Sequence, residues 1–239
     1  MRAGLTIGAA MLAAAITPLA VAQTSVATSD YAFEYSYPPQ AARIAPLKAW
    51  LEADKAKRRA WLVRTAAQAR REARAAGVPF RAYDMQYGWD VVADTPRFLS
   101  LSSASYSDTG GAHGNGSSGG LVWDKQAERR IEAIALFVST AAFQSAVMAP
   151  WCRWMRAERA RRVGADVASD TVFGQCPPVK DVTILPGSSN GRSFDRIGVI
   201  ADQYVVGSYA EGPYEYTLPV TAAVLRAVKP AYRGAFAAN

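Results

Sequence analysis

A chain of 239 residues, half of them apolar, carries enough hydrophobic material for one sizeable core. Its 27 basic and 20 acidic side chains leave a formal charge of +7, alongside one histidine and two cysteines. That inventory offers neither a zinc cage nor a His-based acid–base pair, so no metal and no cofactor is expected, and without an RNA-binding aromatic signature the charge does not point to nucleic acid.

The N-terminus reads as a secretory signal over Met1 to Ala22. Arg2 supplies the charged region, Leu5 to Ile16 the apolar one, and Ala20-Val21-Ala22 a small-residue cleavage site before Gln23. No cysteine follows the site, and no later run approaches the ~20 apolar residues of a membrane span. The expected product is a periplasmic or secreted protein, a single α+β domain over 23–239, with an N-terminal helix/strand part (23–95) and a C-terminal part (96–239).

Tyr31 to Tyr37 alternates aromatic and smaller residues and predicts a first strand, ended by Pro38-Pro39. A long helix is predicted from Gln40 to Ala76, with Leu47, Leu51, Trp61, Leu62 and Ala69 at three- and four-residue spacings and Gly77 and Pro79 stopping it. Its charges suit a solvated face, with Asp54 four residues before Arg58; Lys55, Arg58, Arg70, Arg71 and Arg74 could alternatively form a polyanion-binding stripe. Strands follow at Arg81–Ala93, where Tyr83, Met85, Tyr87 and Trp89 recur at period two, and at Pro96–Ser107. After a glycine-rich connection come Leu121–Asp124 and Arg130–Ile134, completing an antiparallel meander.

A second helical region spans about Thr140 to Val163. Phe143, Val147, Trp151, Trp154 and Met155 face inward, and Pro150 is expected to kink or split it. The arginines at its far end suit a helix C-terminus. Strands near Val182–Leu185, Ser193–Ile200 and Tyr214–Leu218 and a short helix from Thr221 to Val228 finish the chain. The predicted architecture is an antiparallel sheet packed by the long N-terminal helix and the second helical region.

Thr109 to Gly120 contains six glycines and the only histidine. Gly114 to Gly119 satisfies G-x-G-x-x-G, but a dinucleotide cradle needs a helix next, and Leu121-Val122-Trp123 favours a strand. His113 is expected to bond a neighbouring carbonyl or an acid such as Asp108 or Asp124. Ser117 and Ser118 lack the strained elbow that presents a nucleophile. Cys152 and Cys176 are most simply a disulfide in an exported chain, and the sharper alternative is a nucleophilic Cys152 served by His113 and Asn115.

Gly110-Gly111-Ala112-His113, Leu121 to Asp124, Phe194-Asp195 and the Tyr/Gly-rich run from Tyr204 to Pro219 recur in this order in one family. The chain resembles the RsiV-type extracytoplasmic domain, found in lysozyme-sensing anti-sigma factors and beside some peptidoglycan deacetylase domains. The resemblance covers nearly the whole mature chain and departs where Gly114 stands in place of a frequent proline. It implies a non-enzymatic binding module recognising a peptidoglycan fragment or a wall-degrading enzyme such as lysozyme or another muramidase. Gly110, Gly111, His113, Asn115, Tyr204, Tyr209, Tyr214 and Tyr216 are the candidate contacts. Two basic partners repel at long range, which argues against lysozyme. The alternative is a cell-wall hydrolase or deacetylase using the His113 loop.

Overall fold

The computed structural model describes residues 21–168 and 172–239; the leader expected over Met1 to Ala22 falls outside them except for its last two residues. Six strands form one sheet in sequence order: β1 Ala22–Ala27, β2 Tyr31–Tyr37, β3 Tyr83–Asp94, β4 Phe98–Asp108, β5 Asn115–Asp124 and β6 Arg129–Ile131. Period-two patterning gives this sheet two distinct faces. Phe33, Tyr35, Trp89, Leu99, Leu101, Leu121 and Trp123 are buried on the first. The second buries Phe98 and Val122 at one end and is open at the other.

The long helix covers the first face. The span expected to be continuous from Gln40 breaks into α1, Pro39–Ala42, and α2, Ala45–Ala76, because Ile44 is extended just before the proline-containing first turn of α2. Leu47, Leu51, Leu62 and Ala66 are fully buried beneath α2, whereas Trp61, expected inward, is 43% exposed. Adjacent residues lie about 100° apart on a helix, so Leu62 takes the inward position and Trp61 cannot. Gly77 ends α2 in the left-handed region, φ 68°, as the sequence indicated.

Three features differ from the expected antiparallel sheet. β1 has no hydrophobic signal of its own, yet it pairs antiparallel with β2. β2 and β3 run parallel, since α2 is a crossover that returns the chain to the same end of the sheet. The C-terminal strands β7 (Thr183–Gly187), β8 (Arg196–Ala201) and β9 (Tyr214–Pro219) make a separate three-stranded antiparallel sheet over the second face. Beyond it the second helical region runs as α3, Thr140–Phe143, a π-helical turn, Gln144–Met148, and α4, Ala149–Val163. As expected, the region is divided at Pro150, which stands in the first turn of α4 where its missing N–H costs least, directly after the widened turn. Phe143, Val147, Trp151 and Met155 are buried against Val199, Ile197 and Tyr214, and the Trp151 indole donates to the Val199 carbonyl at 3.2 Å.

The glycine-rich connection is shorter than its composition suggested. Only residues 109–114 form the loop, and Gly116, Gly119 and Gly120 lie within β5. Gly120 is needed because β7 crosses closely overhead, where a Cβ would fall 3.0 Å from the Ile184 carbonyl oxygen and 3.1 Å from Leu185 Cδ2, and on the other face a Cβ on Gly119 would meet Ser103 Oγ at 2.6 Å. A strand in place of a helix start also removes the dinucleotide reading of Gly114–Gly119. Gly120→Val should therefore wedge the two sheets apart and destabilise the protein by roughly 1–3 kcal/mol. Urea unfolding checks this, and an unchanged midpoint would contradict the close approach.

Candidate binding surface

The sheet's second face is covered only where the C-terminal half lies on it. Over β1 to β4 it is open, forming a shallow groove of about 310 Å³ lined by Gln23, Glu34, Ser36, Gln86, Ala104 and Tyr106. These residues alternate with the buried aromatics of the opposite face, so the polar lining follows directly from strand periodicity. Gly88 keeps the groove floor low, since a Cβ there would stand 3.3 Å from Ser36 Oγ.

At one end of the groove four aromatic rings gather from two distant segments. The His113 ring stacks on Tyr209 with centroids 4.0 Å apart, and Tyr204 lies 5.9 Å from Tyr209. Tyr106 packs against Gly114 so tightly that any Cβ at that position would overlap its phenol. The Gly114 carbonyl is the hub. It accepts the His113 Nδ1–H and the Tyr209 hydroxyl, both at 2.9 Å. A carbonyl only accepts, so the neutral ring carries its proton on Nδ1, and Nε2 accepts from the Tyr204 hydroxyl at 3.3 Å. Of the acceptors anticipated for His113, the neighbouring carbonyl is the one used.

Both segments are held from behind. In the loop, Asp108 accepts from the Gly110 N–H at 2.9 Å, and Arg81 bridges Asp108 and the Gly111 carbonyl. Gly110 has φ 88°, a value glycine adopts without strain. Tyr204 itself sits at φ 70°, uncommon for a bulky residue, and is 54% exposed. Tyr209 opens a 3-10 turn, Tyr209–Glu211, whose capping box pairs Ser208 with Glu211. Burial alone would raise the Glu211 pKa, but the Tyr214 hydroxyl, the Ser208 N–H and the Arg159 guanidinium outweigh it and hold the carboxyl below its ordinary value. Burial and the same carboxylate push the Tyr214 hydroxyl up to about 12.

Not every candidate joins this ridge. Tyr214 is fully buried and belongs to the core, so it is not a surface contact. Tyr216 is exposed but stacks on Trp154 of α4 at 4.6 Å, away from His113. Asn115 begins β5 on the parity of Ser117 and Gly119, the α2 side of the sheet. Ser117 pairs with Ser105 Oγ at 2.7 Å and Ser118 with Thr183 and Asp202, so neither meets the imidazole. Cys152 and Cys176 form a disulfide, which removes the thiol-nucleophile reading. Among the described residues no three His, Cys, Asp or Glu side chains converge as a metal site would require.

Residues 25–116 match the family model described as deacetylase PdaC. The match runs from β1 into the start of β5 and so includes the groove and the His113 loop. The fold is shared more widely. A DUF3298 family protein from Pseudomonas aeruginosa PAO1 superposes with TM-score 0.57 at 17% identity, covering 93% of this chain and 99% of its own. A DUF3298 member from Bacteroides fragilis NCTC 9343 gives 0.54 at 14%, over 84% and 89%. None of the curated proteins matches. The chain is thus similar to PdaC and DUF3298 domains, the latter likeness being one of fold. The disulfide fits an oxidising compartment, and among the described residues no helix is long and apolar enough to cross a membrane.

Sequence reasoning overlooked Tyr106, Gln86 and Glu34. Their signal was present: in β2, and in β3 as far as Asp90, every second residue is polar or small, and Tyr106 is the one aromatic in a run of serines and alanines. What was missing was knowledge of where the second sheet stops.

Proposed function

We propose that the protein is an exported, non-enzymatic module of the cell envelope, RsiV-like in type, that binds a cell-wall glycan along the open groove and its aromatic ridge. The observation that carries this reading is the gathering of Tyr106, His113, Tyr204 and Tyr209 around Gly114 beside a polar groove, His113 and Tyr209 on its carbonyl, Tyr204 on His113 and Tyr106 against its Cα. Sugar rings present C–H faces that stack on aromatics and hydroxyl and acetamido groups that bond amides and carboxylates, here Gln86 and Glu34. Ring orientations fixed before binding reduce the ordering cost. A wall-degrading enzyme such as lysozyme is the second reading. Glu34, Asp84 and Asp90 lie on the open face, so its local charge favours a basic partner despite the net charge of +7.

Calorimetric titration with soluble muropeptides tests the glycan reading. Tyr209→Ala and Tyr106→Ala should each weaken binding about tenfold, or ~1.4 kcal/mol, with the melting temperature little changed. Binding of lysozyme but not of muropeptides would favour the second reading. Release of sugar or acetate from peptidoglycan, lost in His113→Ala, would establish a hydrolase or deacetylase instead.

A further inference from the structure

We infer that the outward face of α2 is a docking surface for an anionic phospholipid bilayer. The inference is independent of what occupies the groove, because α2 covers the other face of the six-stranded sheet.

At about 1.5 Å per residue, the 32 residues of α2 make a rod roughly 48 Å long. Lys57, Arg64 and Arg71 recur at seven-residue intervals on its solvent side, about 10.5 Å apart, with Arg74 alongside the last. All four are exposed, and among the described residues none makes an ion pair, in contrast to Lys55, Arg58 and Arg70, which are tied to Glu52, Asp54 and Asp30. The stripe expected from sequence is therefore real in sign but different in membership.

Two observations favour a lipid surface over a solvated face or a soluble polyanion. From Lys55 to Arg71 the helix contains seven cations and no acid. A helix that merely faces water gains from opposite charges at i,i+4, as Asp54 and Arg58 do, and loses from like charges. Beyond Arg58 this run forgoes that gain. Secondly, the cations are not alone: Trp61 and Val63 are exposed beside them, at 43% and 38%, and Ala53, Ala56, Ala60 and Ala67 keep the outward surface smooth. A polyanion needs only the charge. Cations mixed with an indole and short apolar side chains suit the headgroup boundary of a bilayer. Docked in this way, α2 lies against the membrane and the aromatic ridge faces away from it.

Cosedimentation of the purified full chain with vesicles tests this. Vesicles of phosphatidylethanolamine with phosphatidylglycerol should retain the protein at low salt, and phosphatidylcholine vesicles should not. Reversal of the four cations (Lys57→Glu, Arg64→Glu, Arg71→Glu, Arg74→Glu) should lower partitioning on the order of a hundredfold. The corresponding Gln set should lower it less. Reversing Arg153, Arg156, Arg192 and Arg226 changes the net charge equally and should leave most of the binding. Circular dichroism confirms that each variant is folded. Trp61→Phe should remove the blue shift of tryptophan emission on docking. Equal loss in both reversed sets, equal binding to both lipids, or preference for soluble polyphosphate over vesicles would overturn the inference.

Discussion

Glu211→Ala is expected to lower folding stability by about 3 kcal/mol and to disorganise the aromatic ridge, although Glu211 touches no ligand surface. Arg159 is 1% exposed, and its Nε donates to Glu211 Oε2 at 3.1 Å. The same carboxylate accepts from the Tyr214 hydroxyl at 2.6 Å and from the Ser208 N–H at 2.8 Å. Truncating it takes the acceptor from the Tyr214 hydroxyl and the Ser208 N–H and one carboxylate from Arg159, and each buried polar group left unsatisfied costs about 1–3 kcal/mol. Arg162 adds donations to the Glu211 and Pro213 carbonyls, both at 2.9 Å, so α4 grips the turn carrying Tyr209 at several points. Without the carboxylate, Tyr209 loses its fixed approach to Gly114 and His113.

Two measurements separate these effects. Urea unfolding reports the stability loss. The chain has a single histidine, so its imidazole signal in NMR is a clean reporter of the Tyr209 ring current. Loss of that shift under native conditions is expected in Glu211→Ala; an unshifted signal would mean the turn does not depend on the ion pair. The pH dependence carries a definite sign. Glu211 has a depressed folded pKa, so its contribution is present above the unfolded value of about 4.3 and is lost as pH falls through the lower folded value. Tyr214, raised to about 12, stabilises below the ordinary phenol value near 10, and that contribution is lost as pH climbs from 10 towards 12. The stability profile of Glu211→Gln should be flatter than the wild type's at acid pH.

Much of the fold was legible because it rests on local periodicity. Tyr31 to Tyr37 alternates in sequence and buries alternate residues in the structure; Gly77 ends α2; the cysteines pair. What local patterns do not encode is the partner of each strand. β1 carries no apolar alternation strong enough to mark it, and the parallel pairing of β2 with β3 follows from a crossover that only the three-dimensional path reveals. The glycines of β5 were read as a loop because glycine marks both turns and close packing, and only the neighbours of Gly119 and Gly120, Ser103 on one face and β7 on the other, distinguish the two.

The candidate site shows the same division. His113 and Tyr209 stood out as residue types, and the structure stacks them although 95 residues separate Tyr209 from Gly114. Within the tyrosine-rich run, however, Tyr214 and Tyr216 share one face of β9, and their places under α4 bury the first and leave the second exposed on Trp154. Sequence could name the aromatic inventory but not sort it by burial.

Loss of the Cys152–Cys176 disulfide should cost about 3 kcal/mol by chain entropy, the second large effect. The bond spans 24 positions, joining the start of α4 to the segment that leads through Pro177-Pro178 into β7. Cys152 is buried next to Trp151, so the tether anchors in packed core and not in a loose surface loop. Freed from it, the chain after α4 gains most of its disorder in the unfolded state, and the native contacts of Trp151 and Met155 remain to hold α4. The expected result for the Cys152→Ala, Cys176→Ala double variant is therefore a lower urea midpoint with the His113 signal still ring-shifted. Glu211→Ala should shift both, and Tyr209→Ala only the imidazole. If loss of the disulfide also abolished the ring shift in the folded state, α4 would depend on the covalent link for its position, and the ion pair with Glu211 would be a consequence of that link and not the element that sets the ridge.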